Sequence, residues 1–161
     1  MTTWQYKNTY MEIKLDDLQG QAITRLLQDH LDDMHSHSPA ESVHALDIEK
    51  LRASDITFWS AWINRSLAGC GALKALSPHE GEIKSMKTSP GFLRKGVASA
   101  LLKNILSEAE RRQYKTVYLE TGSMDHFKPA CELYERFGFE PCPPFGNYQE
   151  DPNSLFFSKS L

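Results

Sequence analysis

The 161-residue sequence lacks the marks of several protein classes. It has only three cysteines, Cys70, Cys131 and Cys142, an odd number with no Cys-x-x-Cys pair. That argues against a disulfide framework and for reduced thiols in a cytosolic protein. No apolar run approaches the roughly 18 residues that a membrane span needs. The opening residues, MTTWQYKNTYMEIKLDD, turn polar at once, without the basic-then-apolar order of an export signal. Nine glycines and eight prolines are too few for a collagenous or low-complexity chain. There is no basic excess: the net charge of −3 excludes a general nucleic-acid binder.

What is present suits a compact enzyme or binding domain. The length fits one domain over residues 1–161 that can bury roughly 70% of its extended surface. Charge is segregated along the chain. Residues 10–50 hold nine acidic and three basic residues, a net of −6, whereas residues 82–115 hold three and eight, a net of +5. Two surfaces with different partners are one reading, and solvated helix faces are the other.

Residues 1–9 read as a tail and MEIKLDD as a first strand. Asp16 or Asp17 is placed to cap a helix over 17–34, with Ile23, Leu26, Leu27, Leu31 and Met34 at helical spacing. Pro39 suits the start of a second helix reaching Leu51, capped by Ser38. The runs 57–63 and 67–76 around Asn64-Arg65 predict a hairpin, and 82–88 a further strand. Trp59 and Trp62 would face opposite sides, one in the core and one on a cleft. Val97–Gln113 is an amphipathic helix, 116–121 a strand, and the segment from Phe127 a helix stopped by Gly138. Short strands at 139–142 and 155–158 complete a mixed α/β domain.

The chemistry concentrates in MKTSPGFLRKGVASALL, residues 86–102. A strand enters a glycine-containing loop, and the loop opens a helix. First-turn amides from about Arg94 to Ser99 lack intrahelical acceptors, so with the helix dipole they form an anion site. Gly96 permits close backbone approach, and Arg94 and Lys95 add positive charge. A pyrophosphate would fit. Neither GxxxxGK[ST] nor GxGxxG is present.

Three blocks together resemble the GNAT family of N-acetyltransferases: Glu82-Ile83-Lys84 with Met86-Lys87-Thr88-Ser89-Pro90, then Lys95 to Leu102, then Ala130-Cys131-Glu132-Leu133-Tyr134 with Phe137-Gly138-Phe139. LETGSM, CPPFGNY and DPNSLFFSKSL are similar to the YsnE-like branch of that family. The resemblance covers residues 10–161. Leu93 and Arg94 depart from the family's loop pattern, and Phe127 stands where an asparagine is often found, so its role is not carried over.

The resemblance implies a three-layer fold, a twisted, mixed, mostly antiparallel sheet flanked by helices. It implies acetyl-CoA as cosubstrate, held by Met86, Lys87, Thr88, Arg94, Lys95, Gly96, Val97, Ala98 and Ser99. It also implies direct transfer of acetyl to an amine, expected to be a small molecule, with protein N-termini or lysines as alternatives. Tyr134 matches the family's acid. Glu82 and Glu120 are the candidate bases, with a water chain as a third route. A second copy of the chain is a candidate partner. The rival reading is a module that binds acyl-CoA with little or no turnover. Four histidines, His30, His35, His37 and His44, crowd 15 residues, but their gaps match no standard zinc spacing. No metal is expected, and a metal-dependent hydrolase is the remote third class. His44 is a candidate substrate contact, and Asp47 and Glu49 would attract a cation.

Overall fold

The computed structural model describes residues 2–6 and 9–161. The elements run β1 (Thr2–Tyr6), β2 (Thr9–Leu15), α1 (Gln21–His37), α2 (Ile48–Leu51), β3 (Ile56–Ile63), β4 (Ser66–Ser77), β5 (Glu80–Thr88), α3 (Val97–Arg111), β6 (Thr116–Gly122), α4 (Lys128–Arg136), β7 (Glu140–Pro141) and β8 (Ser154–Ser160). They build one eight-stranded sheet in the order β1-β2-β3-β4-β5-β6-β8-β7. Among the described residues only β5 and β6 pair in parallel; the other neighbours are antiparallel. The mixed, mostly antiparallel sheet flanked by helices is therefore as the sequence led us to expect.

Sheet periodicity decides which residues meet which helices. Ile13, Trp59, Ala61, Leu73, Ile83, Val117, Leu119 and Phe157 share a core with α3 and with Leu133 and Tyr134 of α4. The other face sends Phe58, Cys70 and Ala72 against Ile23, Leu26 and Leu27 of α1 and Leu51 of α2. Val97, Leu101, Leu102, Ile105 and Ala109 form the buried stripe of α3. The β3–β4 hairpin turns through Asn64 and Arg65 at φ 49° and 66°, the left-handed pair that matches strand twist.

Three expectations change. Residues 2–6 are not a tail but a strand, paired with the β2 edge that β3 leaves open, Trp4 opposite Met11; Met1, Lys7 and Asn8 lie outside the described residues. Gly20, not Asp16 or Asp17, precedes α1. Both aspartates instead accept from amides two residues on, Leu18 and Gln19, and Asp16 also takes the Ser60 hydroxyl at 2.7 Å. Finally, the second helix does not run from Pro39 to Leu51. A 3-10 turn at 40–42 gives way to an extended segment, and α2 is a single turn capped by Asp47. Buried Ser42 donates to Asp151 at 2.6 Å, which ties this segment to the C-terminal loop instead of letting it coil.

Candidate active site

Two local irregularities in β5 open the site. Parallel pairing with β6 ends at Ile83 opposite Leu119, so the two strands separate beyond that pair. Past it, β5 pairs only with β4, leaving one edge of its last residues unpaired. At the same place the register with β4 slips between Cys70–Lys87 and Ala72–Lys84, and Ser85 takes φ 56°. This bulge redirects Ser85 to Thr88. The gap between the strands becomes a cavity of about 620 Å³, walled by α1, β5, the start of α3, β6 and α4.

The first turn of α3 points into this cavity. Gly96 stands at φ 80° before Val97 and offers no side-chain cap. Arg94 is also left-handed, at φ 60°, so backbone hand alternates across the loop, the kind of conformation that presents successive amides to an anion. Arg94, Gly96, Val97, Ala98 and Ser99 all line the cavity, together with Met86, Lys87 and Thr88. Lys95 is the exception among the nine expected residues. It does not line the cavity, and its ammonium lies 5.4 Å from the centre of the Phe92 ring. Ser85 lines the cavity with a buried hydroxyl that has no hydrogen-bond partner among the described residues. Uncapped amides, an open strand edge and an orphaned hydroxyl fit a phosphate-bearing thioester in extended form.

Tyr134, Glu82 and Glu120 line the same cavity, although they lie on three elements. Tyr134 is buried, and its hydroxyl bonds to no described residue. Burial pushes that phenol well above its ordinary range, with the Cys131 thiol and the Glu120 carboxylate adding to the effect. The two glutamates differ. Glu82 is 5% exposed and paired with Lys84, 8% exposed, at 3.2 Å. Tyr148 donates to the same Glu82 oxygen at 2.6 Å and accepts from Lys84 at 2.9 Å. Glu120 is half-buried and makes no side-chain hydrogen bond among the described residues. Burial raises it from 4.5 to about 7. A contact with Ser154, outside hydrogen-bond geometry, and then the Lys84 ammonium pull back, while Glu82 and Asp151 push the same way as burial.

A cluster of aromatic rings backs Tyr148 at this carboxylate end. Phe145 stacks on Tyr118 at 4.7 Å, and Tyr148 meets Phe145 and Phe156 at 4.9 and 5.5 Å. His44 sits edge-on to Tyr148 at 5.0 Å and lines the cavity, from extended chain rather than from a helix. Burial lowers its pKa. His30 lines the inner wall; burial, and then the Lys87 ammonium, drop it to about 4.

Some expectations are not met here. Asp47 and Glu49 do not line the cavity: Asp47 caps α2, and Glu49 pairs with Arg52. Neither tryptophan walls an acceptor cleft. Trp59 is core beneath α3, on a separate cavity of about 460 Å³. Trp62 bonds Ser60 and lies under the Lys14 ammonium. Sequence reasoning missed Lys84 and Tyr148. Two-residue alternation placed Lys84 beside Glu82, but Tyr148 arrives from 66 residues away.

The acetyltransferase (GNAT) family model matches residues 21–139. The chain belongs to that family. The acetyltransferase is 57% identical over 151 residues to an uncharacterized N-acetyltransferase, YsnE, of Bacillus subtilis (strain 168), covering 94% of this chain and 100% of that one. It is 47% identical over 149 residues to the corresponding YedL of Escherichia coli (strain K12), covering 92% and 94%. A GNAT acetyltransferase of Elizabethkingia anophelis, solved with acetyl-CoA bound, superposes with a TM-score of 0.70 at 20% identity, over 94% of this chain and 98% of that one. The expected family, branch and acyltransferase class are thus met. Among the described residues no helix is long and apolar enough to cross a membrane.

Proposed function

We propose that this acyltransferase moves the acetyl group of acetyl-CoA to a small amine by direct attack, with Glu120 as base and Tyr134 as acid. The carrying observation is the contrast between the two carboxylates. Glu82 is engaged by Lys84 and Tyr148, whereas Glu120 faces the cavity unbonded with a proton affinity near neutrality. A base works best when its pKa lies near the working pH.

Acetyl-CoA supplies an activated carbonyl and a thiolate leaving group. The α3 amides, with Arg94 nearby, suit its pyrophosphate. The unpaired edge at Met86–Thr88 offers backbone amides to the thioester oxygen, where negative charge builds during attack. Glu120 takes a proton from the ammonium, and the free amine forms its bond to the carbonyl carbon. As the carbon–sulfur bond breaks, Tyr134, kept protonated by burial, delivers its proton to sulfur. The second proton on nitrogen returns to the Tyr134 oxygen, directly or through water, which leaves a neutral amide, and Glu120 releases its proton to solvent. An anionic Glu120 on the cavity wall, with the Tyr148 ring lining the same cavity, also favours a cationic acceptor, through charge and cation–π attraction.

The test follows free-thiol release from acetyl-CoA over a panel of small amines, with calorimetry of acetyl-CoA binding alongside. Release that falls about 10²-fold or more in Glu120→Gln and in Tyr134→Phe, at retained acetyl-CoA affinity, is the expected outcome. Tight binding without release from any amine would instead favour the acyl-CoA-binding module.

A further inference from the structure

A separate group of side chains meets at the cavity mouth. Asp33 and His37 lie four residues apart on α1, one turn along the same face. His126 comes from the 3-10 turn Asp125–Phe127 that leads into α4. Its Nε2 lies 3.0 Å from Asp33 Oδ2, and His37 Nδ1 lies 3.6 Å from Asp33 Oδ1. One potential donor atom from each residue falls within 4.8 Å of the other two. The imidazoles stack with centroids 3.6 Å apart at 11°. His37 Nδ1 also lies 2.9 Å from Ser36 Oγ and 3.0 Å from the Asp33 carbonyl oxygen, contacts it gives up to bind an ion. Two imidazole nitrogens and a carboxylate are a donor set for zinc and its borderline neighbours, with positions left for water.

We propose that Asp33, His37 and His126 bind a divalent cation of the zinc class, which ties α1 to the entry of α4 across the cavity mouth. Spacing within 30–44 conceals the site because its third donor lies 93 residues beyond Asp33. His35 and His44 take no part in this donor set. Lys87 is the opposing charge: its ammonium stands 3.6 Å from Asp33 Oδ2 and must turn aside. His30, one turn earlier on α1, keeps a buried Nδ1 without a hydrogen-bond partner among the described residues. The ion would also bridge two walls of the cavity, since Asp33 and His126 both line it.

Chelator-treated full-length chain titrated with zinc chloride in a calorimeter tests the site. The expected result is one zinc per chain. His37→Ala and His126→Ala should each weaken binding about tenfold or more. Lys87→Gln should tighten it, and Cys131→Ser and Cys142→Ser should leave it unchanged. Circular dichroism checks that the exposed histidine variants keep their fold. Absence of saturable binding, or equal binding by the His37→Ala/His126→Ala double variant, would overturn the proposal. The titration contains no acetyl-CoA, so its outcome is independent of the transfer reaction.

Discussion

Glu120 carries the sharpest consequence at the scale of single residues. Its shift from 4.5 to about 7 means that the folded state holds the proton more tightly than the unfolded chain. Stability from this group is full below the unfolded value and is lost as pH rises through 7, at a cost of about 3 kcal/mol. Glu120→Gln should therefore raise the Tm at pH 8 and leave it nearly unchanged at pH 4, while abolishing an activity limb with an apparent pKa of about 7. Thermal melts at both pH values and a kcat/KM profile check the pair of outcomes. Tyr148 gives a second case. Its hydroxyl joins Glu82 and Lys84, both buried, so Tyr148→Phe leaves charged groups short of a hydrogen-bonding partner. Urea denaturation should register a loss of about 1–3 kcal/mol.

The decisive elements are β5 and the loop into α3, and glycine sets their closeness. A Cβ on Gly69 would stand 2.8 Å from the Lys87 carbonyl oxygen and 2.8 Å from Val97 Cγ1. One of those atoms is backbone, so it cannot swing away. Gly69→Ala should push the end of β5 from β4 and tilt the start of α3, costing about 1–3 kcal/mol. Acetyl-CoA affinity should fall with it, because the strand edge and the helix amides move relative to each other. Calorimetry beside a denaturation curve measures both; a stability loss at full affinity would mean that the loop adjusts independently. The element boundaries expected from sequence were close wherever periodicity was strong, as in α3 and the β3–β4 hairpin. They failed at 39–51, where Ser42 bonds Asp151 across 109 residues, a partner that no local pattern announces.

Two titrating groups oppose each other across the whole molecule. His30, lowered from 6.5 to about 4, contributes stability that is full above 6.5 and is lost as pH falls toward 4. Glu120 works in the other direction between 4.5 and 7. Their slopes nearly cancel over the overlap. Glu120→Gln should unmask a Tm that rises with pH between 4 and 6.5, and His30→Leu one that falls; melts across that range read both signs. The charge segregation also changes meaning in three dimensions. Much of the basic segment is spent on pairs: Lys84 with Glu82, Lys87 with Asp33, and Arg111 and Arg112 with Glu108. The acidic segment meets the basic one at Asp33 and Lys87. By itself the sequence determined the strand–loop–helix at 86–102, the helix bearing Tyr134 and the family they denote. Those are local patterns, set by side-chain period and by glycine at one turn. Only the tertiary structure decided which glutamate is left unbonded, that Tyr148 holds the other, and that His126 joins Asp33 and His37. Burial and long-range pairing fix those outcomes, and both exist only once distant segments are packed together.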